Sequence, residues 1–146
     1  MCSVKHLRLA PVLAIGFALF AGTPALAQEK PYYPSFDGTC RLEAVGDEPC
    51  ASGTATLDVY PYVFSFSLTC NGLTPGETYL VEFPGCPPEF NSWGIANRRG
   101  TLTLGNWCTN DYLFGPGKVV VYRTGGTDTE PEPVLSGPVS WKRRQH

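Results

Sequence analysis

Thr54-Ala55-Thr56-Leu57-Asp58-Val59-Tyr60, followed by Tyr62-Val63-Phe64-Ser65-Phe66-Ser67-Leu68-Thr69-Cys70, is the stretch that decides the fold. In the first run Ala55, Leu57 and Val59 fall on one side of an extended chain, with Thr54, Thr56 and Asp58 on the other. In the second, Phe64, Phe66, Leu68 and Cys70 oppose Val63, Ser65, Ser67 and Thr69. Successive side chains of a strand leave opposite faces, so a period of two sustained this long predicts two half-buried strands. Val59-Tyr60-Pro61 between them predicts the turn of an antiparallel hairpin.

The same signal repeats outward from this hairpin. Tyr79, Val81 and Phe83 form a third inward row, Leu102 and Leu104 a fourth, and Val119 to Tyr122 a β-branched run that reads as a central strand. Leu135 to Trp141 closes the set. No apolar pattern of helical period follows Ala27. Turns every 8–12 residues and seven or eight short strands predict an all-β protein, an antiparallel Greek-key sandwich or barrel. Thr124 to Pro133, with Gly125-Gly126 and three acids among prolines, is too poor in apolar residues to order itself and predicts a mobile loop between the last two strands.

The N-terminus has a different character. Lys5, His6 and Arg8 precede an apolar run from Leu9 to Ala21, and Ala25-Leu26-Ala27 supplies a small-x-small cleavage site. These are the parts of a signal peptide, and the run is shorter than the roughly 20 apolar residues a membrane span needs. The expected product is cleaved after Ala27, secreted or periplasmic, and not membrane-spanning. The division that follows is a leader at 1–27, an extended Pro/Tyr-rich lead-in at 28–35, one β domain at 36–141, and a basic tail at 142–146.

Cleavage changes the chemistry that remains. It removes two of eleven cations and none of thirteen acids, so the formal charge becomes −4, and three of the nine surviving cations are Lys142, Arg143 and Arg144. An acidic body without a clustered positive face is not a nucleic-acid binder. The one histidine left is His146, so a Ser-His-Asp or Cys-His centre inside the domain has no base. Acids such as Glu43, Asp58 and Glu82 sit on turns and outward strand positions and read as solvated faces rather than a glycosidase pair. Asn110 and Asp111 lack the further oxygen ligands that calcium requires. No catalytic constellation, metal or cofactor is expected.

Five cysteines survive cleavage: Cys40, Cys50, Cys70, Cys86 and Cys108. No C-x₂₋₄-C pair suggests zinc, and an oxidising compartment favours disulfides. If facing residues of the first hairpin sum to about 120, Cys50 meets Cys70, and Cys86–Cys108 is the second expected bridge, leaving Cys40 unpaired. The rival is Cys40–Cys50, with Cys70 a buried thiol. Cys70–Cys86 is rejected, since a strand at about 3.3 Å per residue places them over roughly 20 Å apart, beyond the ~4.4–6.8 Å Cα window.

Gly72-Leu73-Thr74-Pro75-Gly76-Glu77-Thr78-Tyr79 has the Leu-x-Pro-Gly-x-x-Tyr spacing that resembles the tyrosine corner of fibronectin type III and immunoglobulin-like sandwiches. The resemblance implies that Tyr79, with Leu73, Pro75 and Gly76, is structural, its hydroxyl returning to a backbone group a few residues upstream. Ser52-Gly53-Thr54-Ala55-Thr56-Leu57, with the strand after it and Gly72 to Gly76, is similar to the opening half of chordin-type (CHRD) domains and copper/zinc superoxide dismutases. Val119 to Tyr122 and Leu135-Ser136-Gly137-Pro138-Val139 loosely match their closing strands. Both families are Greek-key β proteins whose next strand carries His-x-His, and those positions fall here on Val81 and Phe83, so the resemblance implies the fold without copper ligands.

Between Cys86 and Gly117 the chain concentrates Phe90, Trp93, Trp107, Tyr112 and Phe114 with Asn91, Asn97, Asn106, Asn110, Arg98 and Arg99. Aromatic faces beside amide donors suit a sugar ring, and equally suit plugging one end of a barrel. The leading expectation is a non-catalytic structural or protein-interaction domain. The alternative is a carbohydrate-binding module working through Trp93, Trp107, Tyr112, Asn91 and Asn110. Partners are accordingly a protein or a glycan at the cell surface.

Overall fold

The computed structural model describes residues 34–110, 115–125 and 130–145, all within the unit Tyr32–His146. The expected leader, and the lead-in up to residue 33, lie outside the described residues. Eight strands are described: β1 Phe36–Ala44, β2 Ser52–Tyr60, β3 Tyr62–Asn71, β4 Thr78–Glu82, β5 Ser92–Ile95, β6 Leu102–Asn110, β7 Lys118–Thr124 and β8 Glu132–Arg143. A 3₁₀ turn, Pro88–Phe90, leads into β5. All pairings are antiparallel, in one sheet of order β5-β4-β7-β8-β1-β2-β3-β6. The two ends of this order approach each other. A Cβ on Gly94 of β5 would lie 2.7 Å from side-chain atoms of both Leu102 and Leu104 of β6, and Asn106 Nδ2 donates to Ser92 Oγ at 3.3 Å. The sheet is thus a nearly closed barrel with a seam between β5 and β6.

The alternating rows face inward as expected. Ala55, Leu57 and Val59 of β2, Phe64, Phe66, Leu68 and Cys70 of β3, and Tyr79 and Val81 of β4 are all buried. β7 lies between β4 and β8 with Val119, Val120 and Val121 buried. The barrel's aromatic centre is Phe64, which stacks on Phe90 (centroids 4.8 Å apart, 6° between planes) and meets Phe83 edge-on at 5.2 Å. Trp141, facing Gly38 across the β1–β8 ladder, is held by its Nε1 donating to Pro116 O at 2.9 Å.

The hairpin register corrects the expected cysteine pairing. Tyr60 faces Val63 around Pro61–Tyr62, and Tyr62 takes the left-handed conformation at φ 66°. Facing residues therefore sum to 123, and Gly53, not Cys50, faces Cys70. Residues that face each other in a ladder point to the same side. The inward positions of β2 are odd and those of β3 even, so only an odd sum is compatible with both rows. A sum of 120 would set the outward Cys50 position against the inward Cys70. Cys50 lies outside β2, exposed, while Cys70 is fully buried. The rival Cys40–Cys50 fails likewise, because Cys40 faces Ala55. Among the described residues the five cysteines are not joined to one another, so disulfide staples are not shown in this fold.

The C-terminus also departs from expectation. Lys142 and Arg143 pair with Asp37 and Phe36 as the last residues of β8. The Arg144 guanidinium bonds Asp37, lies 3.1 Å from Asp58 and sits over the Tyr60 ring at 4.6 Å. Its hydrogen bond holds the Asp37 carboxyl below the usual range. The predicted loop at Thr124 to Pro133 narrows to the residues between β7 and β8, of which 126–129 lie outside the described residues.

Glycine is required at position 38 by contact rather than by backbone freedom. A Cβ there would lie 2.7–2.9 Å from three ring atoms of Trp141. We expect Gly38→Ala to cost about 1–3 kcal/mol of overpacking strain in urea denaturation. Gly117→Ala, whose Cβ meets nothing within 4 Å, should stay within about 0.5 kcal/mol. Equal stabilities for the two variants would show that the Trp141 ring is free to move.

Candidate binding face and the buried network behind it

Period two along β5 sends Ser92 and Gly94 to the seam and turns Trp93 and Ile95 outward. Trp93 is 59% exposed and Ile95 65%. On β6 the inward positions are those facing Phe64, Phe66, Leu68 and Cys70, so Trp107, which faces Ser65, points out and is 69% exposed. Two indoles and an isoleucine thus stand on the outer surface of the strands flanking the seam. The apolar band continues from Trp93 to Leu80 and Tyr122, which lie in one row across β5, β4 and β7. On the outer face of β8, β1 and β2 the same positions carry Thr39, Thr54, Thr56, Ser136 and Ser140, beside Arg41 and Glu43. Of the exposed large apolar side chains among the described residues, Trp93, Ile95 and Trp107 lie on the two seam strands, and Val45, Tyr60 and Tyr62 lie elsewhere.

The expected binding residues divide. Trp93 and Trp107 come to the same side of the barrel. Asn91 does not join them: it is half-buried, and its Oδ1 accepts from Phe83 N at 3.4 Å, bracing the connection between β4 and β5. Asn110 ends β6 opposite Tyr62, and Tyr112 lies outside the described residues. Phe90 is core. Asn97 Oδ1 accepts from Arg99 N (2.9 Å) and Thr101 N (3.1 Å), so Arg98-Arg99 form a turn closed by Gly100 at φ 72°. Ile95, Leu80 and Tyr122 belong to the face and were not expected, while Asn106, facing Phe66 on β6, turns to the seam. Four residues of alternation in Ser92-Trp93-Gly94-Ile95 are too few to identify a strand, so only the ladder with β4 reveals which way Trp93 points.

Behind this face lies a buried polar network. The Tyr79 hydroxyl is fully buried and donates to Glu48 Oε1 at 2.7 Å, while it accepts from Thr74 N at 2.9 Å. The hydroxyl thus returns to the backbone five residues upstream. Leu73 N donates to Gly100 O (3.0 Å), and Gly76, at φ 81°, donates to Ala96 O (2.9 Å), so the turn around the exposed Pro75 is tied to the connection between β5 and β6. Glu48 is the member that sequence reasoning missed. It is 6% exposed, and its Oε1 also accepts from the Thr74 hydroxyl at 2.8 Å and lies 3.5 Å from Arg123 Nη1. Arg123 Nη2 in turn reaches Glu132 at 2.8 Å. A buried carboxylate with several donors locks its surroundings and exposes no reactive oxygen to solvent. This network therefore fastens the β1–β2 loop, the β3–β4 connection and β7 together, and is structural. Among the described residues no three His, Cys, Asp or Glu side chains converge as a metal site.

Burial, with the Glu48 hydrogen bond, pushes the Tyr79 hydroxyl up to about 12. Burial likewise raises the Cys70 thiol to about 12. Both groups stay neutral in the folded state at pH values where they ionise in the unfolded chain. Their contribution is full below pH about 9 and is lost as pH rises toward about 12. In reducing buffer, stability to urea should fall through this window, with a shallower slope in Cys70→Ala; an unchanged slope would remove Cys70 from the account. Tyr79→Phe should cost about 1–3 kcal/mol at neutral pH, because Glu48 and Thr74 N each lose a buried partner.

Comparison with known protein families, with curated proteins and with solved structures finds no match to this chain.

Proposed function

We propose that this protein is an exported, non-catalytic β-barrel domain that acts by binding, and that its Trp93, Ile95 and Trp107 face receives a protein partner at the cell surface. The observation that carries this reading is the placement of these three side chains. Folding has not buried them, although each would contribute about 1.5–3 kcal/mol if it did. Exposed aromatic patches of this kind mark interaction sites, and Trp dominates the energetics of protein interfaces. The leader at 1–27 supports export.

The Greek-key, CHRD- and dismutase-like reading of the fold belongs to this proposal. It is supported by the strand order, in which β6 lies beside β3 and β7 beside β4, so that two connections cross the barrel. Val81 and Phe83 are 0% and 1% exposed. They serve as core, which supports separating the fold resemblance from copper chemistry. The immunoglobulin-like comparison is supported only at the Tyr79 corner.

A second reading, carbohydrate binding, is favoured by one specific feature. The Asn106 amide and Ser92 hydroxyl, next in sequence to the two indole-bearing positions but turned to the seam, bond each other across it, giving hydrogen-bonding groups at the edge of the stacking surfaces. Photo-cross-linking from position 95, compared with position 54 on the polar face, separates the possibilities. A discrete protein adduct from 95 alone, weakened tenfold or more in Trp93→Ala and Trp107→Ala, is expected. Stability of these variants should change by less than about 0.5 kcal/mol. Adducts from both faces alike would defeat the proposal, and glycan-array binding lost in the same two variants would replace it with the carbohydrate reading.

A further inference from the structure

Every neighbouring pair in the barrel is joined by a hydrogen-bonded ladder except the two ends of the sheet order, β5 and β6. Among the described residues the side-chain polar contact between these strands is Asn106 to Ser92. The two strands that carry Trp93 and Trp107 are therefore the least firmly joined, at the place where the binding face needs them fixed.

We propose that Cys86 and Cys108 are oxidised to a disulfide that closes this seam and sets the spacing of the two indole-bearing strands. Cys108 faces Phe64 across the β3–β6 ladder. Along the chain Cys86 lies between two residues whose rings both touch Phe64: its backbone N donates to Phe83 O at 2.9 Å, and Phe90, four residues on, stacks on Phe64 at 4.8 Å. Both cysteines are partly buried against the same core. The Cys108 thiol is pushed up to about 11, first by burial and then by Glu89 and Cys86; Cys40 acts on Cys70 in the same way, so the choice of partners rests on strand position.

The register removes the other partners. Cys40 on β1 and Cys70 on β3 have β2 between them, so two strand spacings of about 4.8 Å already exceed the disulfide window. Cys70 faces Leu102, which is six residues along β6 from Cys108, or about 20 Å. Cys50 lies against Gly72, beyond the end of β3 away from Phe64, and is left as the exposed odd thiol.

The chemistry needs a disulfide donor. Two S–H bonds break and one S–S bond forms, while the donor, glutathione disulfide or an exported thiol–disulfide oxidoreductase, takes up two electrons and two protons to become two thiols. Oxidation in the cell rests on the export reading; the choice of partners does not.

The full chain, purified reduced and equilibrated with an oxidising glutathione buffer, tests the pairing by peptide mapping. We expect one linked peptide pair, Cys86 with Cys108, lighter by two hydrogens. Cys50 should alkylate in the native protein, and Cys40 and Cys70 only after unfolding. Tm should rise by about 5 °C or more on oxidation, and Cys86→Ser, Cys108→Ser and the double variant should lose that rise equally. Separate alkylation of Cys86 and Cys108 after oxidation, or a link through Cys40, Cys50 or Cys70, overturns the pairing even if the serine variants fail to fold. A pair that forms in this buffer but is found reduced in the chain recovered from cells overturns the export reading instead.

Discussion

The ring of Phe64 holds together parts of the chain that no ladder joins. It enters the barrel from β3, the strand with the strongest alternation, and its ladder partner is Cys108 of β6. Phe83, just after β4, and Phe90, just before β5, close on it from the other side of the sheet order. Aromatic pairs at these separations add about 0.5–1.5 kcal/mol each beyond the area they bury. Through this one side chain the β4–β5 segment is brought against β6, and the sheet curls into a barrel instead of remaining open. The seam and the outward orientation of Trp93 and Trp107 both depend on that closure.

A different kind of bond secures the opposite half of the problem, which is the route from β3 to β4. The chain must leave one region of the sheet and enter another without a hairpin to guide it. Thr74 at this crossing is bonded to both Tyr79 and Glu48, and Glu48 is bonded in turn to the β1–β2 loop that carries it and to Arg123 of β7. The carboxylate converts three separate connections into one unit, because a buried charge is tolerated only while its donors stay in place. Apolar packing shapes the barrel, and this network determines where the crossing sits.

Much of this was legible in the residues, and the gaps have identifiable causes. β2, β3, β4, β6, β7 and β8 announce themselves by alternation or by β-branched runs. β1 does not, because two of its three central inward positions are Gly38 and Cys40, too small to read as an apolar row. Gly38 is small because Trp141 fills the space. The hairpin turn was misplaced by reading Val59-Tyr60-Pro61 as the loop, although the two inward rows already demanded an odd register sum. Tyr62 concealed the true turn, since a left-handed residue there would ordinarily be glycine or asparagine. Glu48 left no sequence signal at all; it is one acid among thirteen, distinguished only by what surrounds it.

What the sequence by itself determined is the strand content, the inward rows, the absence of a histidine from Leu7 to Gln145, and the residues available for a binding surface. These are local properties, decided by period, turn chemistry and composition. Tertiary structure alone decided that β5 and β6 meet, that Trp93 and Trp107 share one side while Asn91 braces the β4–β5 connection, and that Cys86 and Cys108 pack against one core while Cys50 is exposed. Each of those depends on register and on closure between strands far apart in the chain. A one-residue slip would reverse every side chain involved, and no local pattern in the sequence records which long-range pairing forms.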